Sequence, residues 1–161
     1  MKEQFLLEQV NLKAAVPVDM DAAAFAGPRV SLKEGYRLAI ICNMGDSVGA
    51  AVTFTLKQHN AASGGTSKDL EVANLYYKKA GAATSFTKVE PTVAAAAYNL
   101  AADFAAQEGI VVFEVLAEDL DVEGGFTHVS IEAADSGAAK LLSVVHVLHN
   151  VKHKPAYEIA L

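Results

Sequence analysis

Short apolar runs alternate with turn-rich connectors along this chain, and most of the runs carry the two-residue period of a strand. The cleanest is 52–57 (VTFTLK), where Val52, Phe54 and Leu56 alternate with Thr53, Thr55 and Lys57. One face then enters a core while the other meets water, the mark of an antiparallel sheet. Burying each of the three apolar side chains contributes about 1.5–3 kcal/mol. Upstream, 36–42 (YRLAIIC) places Tyr36, Leu38, Ile40 and Cys42 on one face and Ile41 on the other, with turn residues at 43–46. Downstream, 60–68 (NAASGGTSK) reads as a flexible loop. The runs 69–79 and 84–89, joined through Ala80-Gly81, read as a hairpin.

Three more strands are predicted within 109–149, separated by connectors at 118–125 and 134–137. The first is apolar on both faces, with Val111, Phe113 and Val115 opposite Ile110, Val112 and Leu116. The second sets Val129, Ile131 and Ala133 against His128, Ser130 and Glu132. The third, 140–151, sets Leu142, Val144 and Leu148 against Val145, Val147 and Val151. Strands apolar on both faces are covered on both sides. One domain of this length has few elements for that, so part of this stretch is expected against another chain, with Leu142, Val144 and Leu148 as candidate contacts.

The ends are patterned differently. Phe5, Leu6, Leu7, Val10 and Leu12 form an apolar patch, followed by Pro17, an alanine-rich run and Gly27-Pro28. The patch reads either as an arm that docks on a neighbouring subunit or as a first strand of the same sheet. Residues 151–161, with Tyr157, read as a tail and a second docking arm. The segment 92–107 has helical spacing at Val93, Ala97, Leu100, Ala101 and Phe104, which favours a short helix; an all-β setting favours a strand and loop. Eight or nine short strands with Gly- and Ser-rich turns predict an all-β fold: a jelly-roll-like antiparallel β-sandwich over 29–150, with an N-terminal arm over 1–28.

Composition narrows the function classes. A chain of 161 residues has enough length for one real core, burying roughly 68–70% of its unfolded surface. It is 52% hydrophobic and 20% charged, which is globular and not disordered. The formal charge of −6, with scattered Lys and Arg, argues against nucleic acid. Cys42 is the single cysteine, so no internal disulfide forms, and its apolar run suggests an inert buried thiol. Acidic and amide residues interrupt the N-terminal apolar stretch, and no segment approaches transmembrane length; folding in a reducing cytoplasm, away from a membrane, is the expectation.

Candidate chemistry is sparse. Asp119, Asp121 and Glu123 imitate the start of a calcium loop, but position twelve of that loop is Ser130, where a bidentate acid is needed. His146 and His149 have an odd spacing and point to opposite faces of a strand, so they do not share a zinc ion. His59 and His128 have no partner in sequence. No nucleophile elbow, Cys-His signature or phosphate loop is present. The residues therefore point to a non-enzymatic protein with no metal and no cofactor.

The order of features resembles the small head decoration (cement) proteins of tailed bacteriophages. The resemblance rests on VTFTLKQ at 52–58 with its Gly-Ser loop, LYYKKAG at 75–81 and FTKVE at 86–90. It continues through VVFEVLAEDLDVEGGFTHVSI at 111–131 and LLSVVHVL at 141–148. It covers most of 36–150 and excludes the N-terminal arm and 92–107. What it implies is a β-sandwich on the exterior of a virion capsid, made in the bacterial host cytoplasm. As such proteins often do, it would act as a homotrimer that clamps neighbouring major capsid subunits. A tail- or fibre-associated carbohydrate-binding module is the rival; its aromatic platforms would come from Tyr76, Tyr77, Tyr98 and Tyr157.

Overall fold

The alternation at 52–57 becomes a strand from Thr53, with Val52 just ahead of it and Phe54 and Leu56 within it all fully buried, and the same logic organises the rest of the chain. The structure, a computed structural model, describes residues 10–21, 24–33, 35–46, 52–72, 76–90, 95–100, 104 and 107–149. In chain order the strands are β1 (Val10–Ala14), β2 (Val18–Asp19), β3 (Phe25–Ala26), β4 (Val30–Ser31), β5 (Arg37–Met44), β6 (Thr53–His59) and β7 (Ser67–Asp69). They continue as β8 (Tyr76–Ala80), β9 (Thr87–Val89), β10 (Ala97–Asn99), β11 (Gly109–Leu116), β12 (His128–Ala133) and β13 (Leu141–His149). Among the described residues the one complete helical element is a 3-10 turn, Ala117–Asp119.

These strands form two antiparallel sheets packed as a sandwich. One sheet has seven strands in the order β1-β13-β5-β11-β8-β9, with β2 also pairing β13. The other has six, β10-β6-β12-β3, with β4 on β12 and β7 on β6. The pairings β1 with β13, β3 and β4 with β12, β5 with β11 and β6 with β10 are those of one long antiparallel double strand. Rolling that ribbon up brings β13 beside β5 and β12 beside β6. The result is the winding of a jelly roll, the sandwich expected from the sequence, although the number of strands alone does not distinguish it from an immunoglobulin-like order. An immunoglobulin-like order would not give these pairs.

The core fills the space between the sheets. Leu38, Ile40, Cys42 and Met44 of β5, Val111, Phe113 and Val115 of β11, and Leu142, Val144 and Leu148 of β13 face Phe54, Leu56, Val129, Ile131 and Ala133 of the opposite sheet. At one end Phe113 gathers three rings, with centroids 5.8 Å to Phe54, 5.0 Å to Tyr98 and 5.5 Å to Tyr76. The ring distances suit edge and tilted packing of quadrupoles, and they tie both sheets together.

Four sequence expectations change. The stretch 10–26 supplies strands to both sheets, and Met20 and Phe25 are buried in the core. Of the two readings of the N-terminal patch, Val10 and Leu12 follow the first-strand one, because β1 completes the open edge of β13. Phe5, Leu6, Leu7 and Tyr157 lie outside the described residues. Leu142, Val144 and Leu148, expected at another chain, point into this chain's own core. The loop 60–68 is a defined hairpin connection: Asn60 accepts from the Thr66 N–H through Oδ1 at 2.8 Å, and Gly64 and Gly65 supply the positive φ that closes it. Within 92–107, Ala97–Asn99 is a strand, drawn to the free edge of β6 against the helical spacing. Phe104 then makes a helical-type bond to the Leu100 carbonyl at 3.0 Å.

Candidate functional site

The alternation of β13 turns Val145 and Val147 away from the core, and its neighbours do the same in register. Across the seven-stranded sheet, Ala14, Val145, Ile41, Val112 and Tyr77 form one transverse row. Leu12, Val147, Ala39 and Glu114 form the next. Val145, Val147, Ile41, Val112 and Tyr77 are half-buried, and Leu12 is 44% exposed. The two-sided apolar strands therefore give one inward face that makes the core and one outward face rich in β-branched side chains. An ion pair of Arg37 with Glu114 borders this face.

A second feature lies where the sandwich edge opens between β1 and β4. A cleft of about 340 Å³ is lined by Lys13 and Asn11 of β1, Arg29, Ser31, His128 and His146, with Leu148 and Val30 at its apolar base. Lys13 donates from Nζ to the Arg29 carbonyl at 3.0 Å, and so spans the two sheets. Arg29 donates to the carbonyls of Ala61 and Gly64 at 2.9 and 2.6 Å. His146 is 1% exposed; its Nδ1 lies 3.3 Å from the Lys13 carbonyl, and its Nε2 has no hydrogen-bond partner among the described residues.

Three sites considered from sequence have structural roles instead. Asp121 binds Lys68 and accepts from the Gly124 N–H at 2.9 Å, while Asp119 accepts from the Leu116 N–H at 2.7 Å. Both carboxylates thus hold the β11–β12 turn. His146 faces inward and His149 outward, as the odd spacing requires. Cys42 is fully buried, and burial pushes its thiol pKa well up, away from reactivity. Among the described residues no group of three His, Cys, Asp or Glu side chains converges on a metal position.

What sequence reasoning missed is a contact between strands. The register of β6 and β12 sets His59 opposite His128, and His59 Nε2 lies 2.8 Å from Ser130 Oγ. Both partners are buried, and among the described residues no group pairs with His59 Nδ1 as the third member of a catalytic triad would. Lys140, also 1% exposed, donates from Nζ to the carbonyls of Phe104 at 2.7 Å and Gln107 at 3.3 Å. No local pattern marks either contact, because the partners lie 71, 36 and 33 residues apart.

Two buried histidines, His59 and His146, and the half-buried His128 make stability depend on pH. Burial is the largest cause that lowers the pKa of His59, to about 4, and it also lowers His128 and His146. The fold holds these rings neutral, so their contribution is intact above the ordinary value of about 6.5. It is lost as pH falls from there through about 4, since the unfolded chain takes up the protons first. For His59 alone the loss is about 2–3 kcal/mol. Chemical unfolding at pH 7.5, 5.5 and 4.5 is expected to show this decline, and His59→Gln to flatten it; equal stability at all three values would contradict the assignment.

Searches of protein-family models, curated proteins and solved structures find no match to this chain.

Proposed function

We propose that this chain is a capsid decoration protein, docking on the outside of a tailed-phage head and bridging neighbouring major capsid subunits. The observation that carries the reading is the outward apolar face of the seven-stranded sheet, centred on Val145, Ile41 and Val112. A flat sheet face with half-buried β-branched residues suits docking on another protein, since ordered strands lose little entropy on binding. A contact of roughly 800 Å² per partner suffices for stable association. Repetition over a closed shell multiplies it by avidity, as does a trimer. The sequence resemblance to cement proteins and the jelly-roll winding support the same reading.

The carbohydrate-binding alternative draws less support. Two of its platform candidates, Tyr76 and Tyr98, pack with Phe113, and the Tyr98 hydroxyl donates to the Ala95 carbonyl at 2.7 Å. Tyr77 is the one platform candidate among the described residues that the ring cluster leaves out.

The test is binding of purified protein to expanded phage capsids stripped of decoration, followed by sedimentation and by heat release of DNA. Saturable binding with a raised release temperature is expected. Absence of binding would overturn the proposal, and a clear hit on a glycan array would favour the alternative.

A further inference from the structure

The cleft between β1 and β4 concentrates positive charge on a protein whose formal charge is −6. Lys13 lies on β1 of one sheet and Arg29 just ahead of β4 of the other, and their observed side-chain hydrogen bonds go to backbone carbonyls. Among the described residues neither forms an ion pair with a carboxylate, whereas Arg37, Lys57, Lys68 and Lys88 all do. Burial, and after it the neighbouring cations Lys33, Arg29 and Lys13, lower the pKa of His128. His146 lines the same cleft, 1% exposed; its Nδ1–H donates to the Lys13 carbonyl, and among the described residues its Nε2, an acceptor in the neutral ring, has no partner. Like charges held together cost stability unless something compensates them.

We propose that this cleft is a binding site for a small oxyanion, a phosphate or carboxylate group, held by Lys13, Arg29 and His128 above the His146 ring. The volume of about 340 Å³ admits a phosphate or a short carboxylic acid together with water. Ser31 and Asn11, on the same lining, add neutral donors. The apolar base of Val30 and Leu148 lowers the local dielectric, which strengthens charge-assisted bonds made at the mouth. The site stands on the cleft alone and does not depend on the capsid reading.

The experiment is a titration of the full-length protein with inorganic phosphate and, in a parallel arm, with acetate, each at constant ionic strength set by chloride. Binding is read by calorimetry and by the ring resonances of His128 and His146. Saturable binding is expected, with both ring signals moving together and His59 moving least. Lys13→Gln, an exposed change, is expected to weaken binding about tenfold, as the loss of one charge-assisted contact implies. Arg29→Gln is expected to do the same, with circular dichroism and thermal melting reporting whether the 60–66 turn survives. Tighter binding of phosphate would identify a phosphate site; tighter binding of acetate would identify a receptor for carboxylates, such as acidic side chains. No saturable binding of either anion, or binding unchanged in Lys13→Gln, would overturn the proposal.

Discussion

Val144→Asp is expected to abolish the fold, whereas Val145→Asp, one residue along, is expected to leave it intact and impair docking. Val144 is fully buried on the inner face of β13, between the sheets and in register with Cys42. A carboxylate there loses its water and meets only apolar neighbours, a cost of more than about 4 kcal/mol. That takes most of the 5–15 kcal/mol typical of a domain. Val145 points outward beside Ile41, half-buried, where a charge stays hydrated and costs about 1 kcal/mol. Circular dichroism and urea unfolding would separate the two variants, and capsid sedimentation would read the second. A folded Val144→Asp protein would contradict the assignment of faces; full capsid binding by Val145→Asp would remove this face from the proposed interface.

Phe113→Ala is expected to destabilise the protein by about 3–5 kcal/mol, the range for deleting a buried aromatic ring. Phe113 is 2% exposed and is the ring shared by Phe54, Tyr76 and Tyr98. Its removal empties a site bounded by two sheets, so neither sheet can relax into the gap without breaking strand pairing. Phe113→Leu keeps much of the volume and is expected to cost less than half as much. Denaturant midpoints of the two variants at unchanged slope would measure this. Equal, small losses in both would mean that the end of the sandwich collapses freely.

The same two residues show how far the sequence carries. The two-residue period at 52–57, 109–116 and 128–133 is enough to assign strands and to say which residues share a face, because alternation is a local property of extended backbone. Phe113, Val111 and Val115 were legible as one face in this way. The period of β13 also separates Val144 from Val145. It does not say which of the two faces turns inward, since both are apolar. That choice depends on which side of the sheet the opposite sheet covers, and so on the whole rolled ribbon.

The cleft and the buried polar contacts were less legible. Lys13, Arg29, His128 and His146 are scattered over more than a hundred residues, and nothing local distinguishes them from surface charges and a lone core histidine. The pairing of β1 with β13 and of β4 with β12 brings them to one edge. The strand at Ala97–Asn99 went against its own alanine-rich propensity for a related reason: an unpaired edge of β6 offers hydrogen bonds worth more than a fraction of a kcal/mol per residue of helix preference.

By itself, then, the sequence determined the all-β class, most of the strands and the residues that alternate together, because these follow from local period and composition. Only the tertiary structure decided that β1, β2 and β3 belong to the sandwich, that Leu142, Val144 and Leu148 face inward while Val145 and Val147 face outward, and that Lys13, Arg29, His128 and His146 meet at one edge. Each of those depends on register between strands far apart in the chain, and register is set by closing both sheets over a single core.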